Sequence, residues 1–271
     1  MIRSNQIEET VGDALSAGIE GAQDGFFVVN PSRDAIQGLV TVLAEADAPP
    51  AVRLFAAEEP LKEIADDFLI ASAIADLVDS GALSVRTLST EPTGTLLVSE
   101  TSVVSLVEST GGVAALATTE ESFVSETVGV FESRWDGAPE FQLRTPARST
   151  VMETLESDIG PDAAADFEAI LTSLETARGN GDGLDEVTVS LLVAARNGEL
   201  LYDISKWGED IGLASKATFS RTKSRLEDNG LVDTEKVPID VGRPRLRLLL
   251  RGDLASADPG ELAATVQERL A

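Results

Sequence analysis

Apolar residues recur along this chain of 271 residues in two rhythms, and each rhythm predicts a different element. Steps of three and four predict helices, and short unbroken or alternating runs predict strands. Ile7, Val11 and Leu15 predict a helix over 4–18. Phe26-Phe27-Val28-Val29 has no polar break and predicts a buried strand. Asn30-Pro31-Ser32 lead into a helix carrying Ile36, Leu39, Val40 and Leu43, and Val52–Phe55 predicts a second strand after Pro49-Pro50. A helix over 59–80 follows, then strands near 82–89, 94–99, 102–108 and 112–118, with turns at Thr93-Gly94 and Thr110-Gly111-Gly112. A helix over 120–135 places Phe123, Val124, Val128 and Phe131 inward. The order β-α-β-α-β-β-β-β-α predicts an α/β domain, a mixed-sheet sandwich with parallel strands first and antiparallel strands later.

Beyond it, residues 139–148 read as extended, and 149–158 and 161–177 as two helices separated by Gly160-Pro161. Residues 178–183 (RGNGDG) read as a flexible linker. Asn180, Asp182, Asp185 and Glu186 lack the spacing of a twelve-residue EF-hand loop, so a calcium site is not expected there. Asp185 is a good N-cap for a helix with Val187, Leu191, Ala194 and Ala195 inside.

The stretch 205–229 (SKWGEDIGLASKATFSRTKSRLEDN) predicts two short helices around a turn at Gly212, the second capped by Ser215. In that helix Phe219, Thr222 and Leu226 share one face. Lys216, Ser220, Arg221 and Ser224 lie roughly opposite. An apolar seam behind and small polar or basic side chains in front is the layout of a helix that reads a DNA major groove. The stem of Lys223 is expected to pack while its ammonium reaches out. Asn229-Gly230 ends the helix, and strands over 231–237 and 245–251 flank a loop with Gly242 at its tip. Helix, turn, helix and hairpin is the order of a winged helix-turn-helix. Val241-Gly242-Arg243-Pro244-Arg245 forms the tip of the wing, its arginines suited to a narrow minor groove.

The predicted organisation is an α/β ligand-sensing and dimerisation domain over 1–148, a helical linker over 149–183, a winged helix-turn-helix over 184–252, and a C-terminal helix over 253–271. Asp258-Pro259-Gly260-Glu261 starts that last helix.

Charge sharpens the division. The net charge is −26, yet residues 196–251 carry 11 basic and 9 acidic side chains while 1–195 carry 9 and 34. A segment that escapes so acidic a background is expected to meet a polyanion. With 43% apolar residues the chain is not disordered, and the spread of carboxylates fits adaptation to molar salt.

Candidate chemistry is narrow. The chain has no histidine and no cysteine, which removes His-based nucleophilic systems, His and Cys metal ligands and disulfides. No phosphate-binding glycine motif occurs. No catalytic residue, metal site or cofactor is expected, and the chain is not read as an enzyme. No apolar run approaches the length of a membrane span and no signal-peptide core follows Met1–Asn5, so a cytoplasmic location without membrane contact is expected. In open α/β sheets ligands sit beyond the carboxyl ends of strands, often at helix N-termini. That singles out Asn30, Ser32 and Arg33 after the first strand, and Thr119 before the helix at 120. Arg33 either pairs with a carboxylate or grips a phosphate or carboxylate ligand.

The stretch Ser205–Val232 followed by Gly242-Arg243-Pro244-Arg245 resembles the winged-helix transcription regulators of haloarchaea of the TbsP type. These are related in theme to TrmB sugar-sensing regulators, which carry the winged helix at the other end. The resemblance implies a homodimer that binds double-stranded promoter DNA and regulates sugar or central carbon metabolism. It also implies that the α/β domain senses a phosphorylated sugar or another small metabolite. The helices of 149–177 and the C-terminal helix are then expected to supply much of the dimer contact. TrmB-type sensor domains resemble a phospholipase D fold, whose catalytic His-x-Lys cannot exist in a chain without histidine. A competing reading is a protein-interaction adaptor whose winged helix binds a protein.

Overall fold

The computed structural model describes residues 6–20, 25–89, 94–174, 177, 184–240 and 242–270. The linker read at 178–183, the calcium-loop positions Asn180 and Asp182, and Val241 of the wing lie outside them. The chain divides into two units: Met1–Ala65 with Ala73–Leu143, and Asp66–Ser72 with Arg144–Ala271.

The first unit is built on a seven-stranded sheet. Its elements are β1 (Gln6–Glu8), α1 (Val11–Glu20), β2 (Phe26–Val29), α2 (Arg33–Glu45), β3 (Val52–Ala56), α3 (Glu58–Ala65), α4 (Phe68–Asp79), β4 (Leu83–Thr87), β5 (Leu96–Val98), β6 (Val103–Ser109), β7 (Gly112–Thr118) and α5 (Glu121–Asp136). The spatial order is β1-β7-β6-β5-β2-β3-β4. β2, β3 and β4 run parallel, and every other pairing is antiparallel.

All four residues of β2 are buried because helices cover both of its faces, which is why the strand reads as an unbroken apolar run. Phe27 and Val29 point to the α5 face, where they join Phe55, Val98, Val103, Val124, Phe131 and Trp135. Trp135 stands edge-on to Phe27 and Phe55, at centroid distances of 5.7 and 5.5 Å. Arg53 and Arg86 stack on this cluster, over Phe27 and Trp135.

Several predicted elements change. Residues 6–8 form an edge strand because Ile7 pairs with Ala114. The helix starts only at Val11, where Thr10 and Asp13 cap each other reciprocally: the Asp13 amide donates to the Thr10 hydroxyl at 3.1 Å, and the Thr10 amide to the Asp13 carboxylate at 3.1 Å. The helix expected over 59–80 breaks into α3 and α4 at Asp67, whose buried carboxylate accepts from the amides of Leu69 and Ala177. Phe123 is 52% exposed, and Trp135 takes the inward place on α5 expected for it.

The second unit contains α6 (Arg148–Asp158), α7 (Pro161–Ser173), α8 (Glu186–Arg196), α9 (Leu201–Asp210), α10 (Lys216–Asp228), β8 (Val232–Val237), β9 (Arg245–Leu250), a 3-10 turn (Gly252–Ser256) and α11 (Pro259–Leu270). α8 is the axis of its core: every residue from Val187 to Ala195 is buried. Asp185 caps it, accepting from the Thr188 amide at 2.6 Å. Val151, Leu155, Phe167 and Ile170 of α6 and α7, and Leu262 and Val266 of α11, are fully buried in the same core. The apolar faces of these helices are therefore used inside this unit.

Candidate nucleic-acid interface

α9 and α10 meet at one glycine. A Cβ on Gly208 would overlap the ring of Phe219, so only hydrogen lets the two helices approach this closely. The Gly208 carbonyl accepts from the amides of Leu213 (2.8 Å) and Ala214 (3.2 Å), which closes the turn. Gly212 sits in that turn at φ 76°, the left-handed conformation that glycine adopts without strain. Ser215 then starts α10 by accepting from the Thr218 amide at 3.2 Å. Phe219 and Leu226 are fully buried, and Thr222 is half-buried on the same side.

Lys216, Ser220, Arg221 and Ser224 are all exposed on the outer side of α10. Two further cations are structural. Arg225 donates to the Thr188 hydroxyl at 3.1 Å and ties α10 to α8. Lys223 is only 13% exposed and bonds Glu227 at 2.7 Å, and Glu227 in turn accepts from the Thr234 hydroxyl of β8 at 3.0 Å. The ammonium expected to reach outward thus turns along the helix, because a carboxylate four residues on satisfies it.

The wing is β8 paired with β9, Val232 opposite Leu250 and Val237 opposite Arg245. Leu200 bridges Arg247, and the Leu248 amide donates to the Glu199 carbonyl, so the chain before α9 anchors the hairpin. Between α10 and the wing lies an open groove of about 480 Å³, lined by Tyr202, Lys216, Ser220, Ile239, Arg243, Arg245 and Leu246 among others. Four of the predicted reading residues, Lys216, Ser220, Arg243 and Arg245, are brought together there. Arg221 and Ser224 share the outer side of α10 but do not line the groove.

Two of the groove's cations are held by carboxylates of α9. Lys216 bonds Glu209, which keeps its ammonium charged beyond the ordinary lysine range and holds the Glu209 carboxyl below the usual carboxylate range. Arg245 bonds Asp203 at 3.1 Å, and its guanidinium lies 4.1 Å from the centroid of the Tyr202 ring. Arg243 is exposed on the loop. Sequence reasoning missed Tyr202, Ile239 and Leu246. The available signal was slight: Tyr202 is the one tyrosine of the chain, and it falls in the first turn of the first helix of the motif.

The first unit has a cleft of its own. It opens at the carboxyl ends of β2, β3 and β4, with a volume of about 1230 Å³. Asn30 and Ser32 line it. Asn30 is held at φ 50°, and Ser32 caps α2 by accepting from the Ala35 amide at 3.2 Å. Arg33 and Thr119 are not among the lining residues. Arg33 bonds Asp34 at 3.5 Å in the first turn of α2. At the other junction the Glu120 side chain caps α5 itself, accepting from the Phe123 amide at 2.9 Å. A carboxylate already occupies that helix N-terminus, which leaves no place for an anion. The cleft lining carries the hydroxyls of Ser32, Thr87, Ser89, Thr95 and Ser105 and the carboxylates of Glu58, Glu59 and Glu108, with no Lys or Arg among the described residues.

Comparison with known proteins gives the chain its relatives. A family described as transcriptional regulator TbsP-like, N-terminal, matches residues 3–146, and one described as transcriptional regulator TbsP-like, C-terminal HTH domain, matches 147–267. No curated protein matches the chain. Among solved structures, TrmBL2, titled an archaeal chromatin protein with a novel mode of DNA binding, is 14% identical with a TM-score of 0.36. That match covers 50% of this chain and 53% of the other, so the chain spans about half the length of that structure. Nuc, a phospholipase D family member from Salmonella typhimurium, is 12% identical with a TM-score of 0.34, over 48% of this chain and 90% of that one. Likenesses this faint carry no argument about function. Among the described residues no helix is long and apolar enough to cross a membrane. With both family matches together running from residue 3 to 267, over an α/β unit and a helix-turn-helix unit, the chain belongs to the TbsP-like transcriptional regulators.

Proposed function

We propose that this regulator reads promoter DNA sequence-specifically, as a two-fold dimer, through the groove between α10 and the wing. One observation carries the reading: Lys216 and Ser220 of α10 and Arg243 and Arg245 of the wing line a single groove. α10 presents the major-groove face, with Arg221 and Ser224 extending it, and Arg243 presents a guanidinium to the adjoining minor groove. The apolar side chains Tyr202, Ile239 and Leu246 suit contact with sugar and thymine methyl groups. Such contacts keep their strength in the molar salt that a net charge of −26 suggests, whereas counterion release fades there. An electrophoretic shift of promoter fragments in high potassium tests the reading. Arg243→Ala should weaken binding by about tenfold, the cost of one specific arginine contact. Unchanged affinity would remove the wing from the interface, and no shift by the parent protein would favour a protein-binding role for the winged helix.

The cleft of the first unit supports a sensing role. Its hydroxyls and carboxylates suit a neutral polyhydroxylated ligand such as an unphosphorylated sugar. A phosphorylated one would meet Glu58, Glu59 and Glu108 with no cation among the described lining residues to offset them. This favours the neutral member of the metabolite class and fits a regulator of sugar metabolism.

A further inference from the structure

The antiparallel half of the seven-stranded sheet is covered on one face. On the α1 side Leu106 and Val113 are buried against Ala14. On the α5 side the cross-strand rows can be followed through the pairing. The first is Phe27–Val98–Val103–Thr118, the next Val29–Leu96–Ser105–Leu116, and the third Val107–Ala114–Ile7. Phe27, Val98 and Val103 are buried with Val124 and Phe131 of α5. The cover then ends: Leu116 is 38% exposed, Val107 49% and Ile7 71%. From Ser105 outward this face carries Ser105, Leu116, Val107, Ala114 and Ile7, then the paired Ser109 and Gly112. None is charged, in a chain where a quarter of all residues are. An exposed apolar face of this kind marks an interaction surface.

Charge selects the occupant. The first unit, residues 1–65 and 73–143, carries 22 acidic against 6 basic side chains, so most surfaces of two such units repel each other. This uncharged face brings two copies together without opposing like charges. We propose that a second copy of this chain seats here, sheet against sheet across a two-fold axis, at the spacing of about 10 Å usual for stacked sheets. Ser105 and Val107 also line the cleft, so the partner's sheet closes one of its walls and links dimerisation to occupancy of the cleft. The inference deepens the proposed two-fold reading of DNA and rests on it. It also moves the dimer contact away from α6, α7 and α11, whose apolar faces are buried within their own unit.

Sedimentation of the full chain in molar potassium chloride, without DNA, tests it. The parent protein should sediment as a dimer and the double variant Val107→Glu, Leu116→Glu as a monomer. Both changes fall on exposed positions, so circular dichroism and the melting temperature should match the parent. The chain has no cysteine, so Ser105→Cys adds a single thiol. Its labelling should be slow in the parent background and at least tenfold faster in the double variant. A parent that stays monomeric, a double variant that stays dimeric, or equal labelling in both backgrounds overturns the proposal. A monomeric parent that still shifts promoter DNA would sink this inference and leave the groove between α10 and the wing standing as the DNA contact.

Discussion

Lys216 and Arg245 in the groove each face a carboxylate of the neighbouring helix, Glu209 and Asp203, while the cleft of the other unit shows Glu58, Glu59 and Glu108 and no lining cation among the described residues. Both sites are concave and both combine polar with apolar side chains. They differ in what an incoming ligand must displace. A phosphate backbone entering the groove exchanges one anionic partner for another, and the cations are already aimed. An anion entering the cleft meets three carboxylates and no lining cation among the described residues, whereas a neutral hydroxyl-bearing ligand finds matching donors and acceptors. Net charge over a whole chain therefore says little about its sites; the local sign decides which partner each can accept.

The largest expected effect separates the two sites through a residue that touches neither ligand. Gly208→Ala forces a methyl group into the Phe219 ring and should cost about 3 kcal/mol in the second unit, the upper range for overpacking. Denaturant unfolding should show a lowered midpoint, with promoter binding lost in parallel. A midpoint equal to the parent's would show that α9 and α10 do not meet as described.

A smaller effect concerns pH. Burial pushes the Glu186 carboxyl up to about 7, and the adjacent Asp185 carboxylate adds to the shift. Between the unfolded value of 4.5 and about 7 the folded chain binds a proton that the unfolded chain does not. Stability from this group is present at low pH and falls as pH rises through that window. Glu186→Gln should stabilise the second unit by about 1–2 kcal/mol at pH 8, a half-buried group giving less than the full shift, and should flatten the profile between pH 5 and about 7. Melting curves across pH decide it; a variant that melts like the parent at pH 8 contradicts the burial argument.

The smallest effect sharpens the cleft. Glucose, a neutral probe, should raise the melting temperature of the full chain by a few degrees at saturating concentration, through binding to the folded state alone. Inorganic phosphate at equal ionic strength should give no shift beyond that of chloride. A shift with phosphate and none with glucose would reverse the assignment.

Much of this was legible along the chain because it depends on neighbours in sequence. Phe26–Val29 reads as a strand buried on both faces, and it is one. Asp185 and Ser215 start helices by capping amides three residues on, which needs no tertiary partner. Gly212 marks its turn for the same local reason. Ile7 read as helical because its spacing to Val11 and Leu15 fits a helix; only its pairing with Ala114, far along the chain, makes it a strand. Lys223 read as outward because periodicity cannot see Glu227 and Thr234 closing around it. Arg33 stood out as a rare cation, yet its place in the first turn of α2 puts it outside the cleft lining.

What the sequence determined by itself was most of the order of elements, the helix-turn-helix with its wing, and the reversal of charge that marks it. Each rests on periodicity, capping or composition, which act over a few residues. What only the tertiary structure decided was assembly. It brought Tyr202, Lys216 and Arg245 to one groove and matched Glu209 and Asp203 to their cations. It also left the face of Ile7, Val107 and Leu116 uncovered. These depend on which distant strands and helices pack together, and no local pattern encodes that.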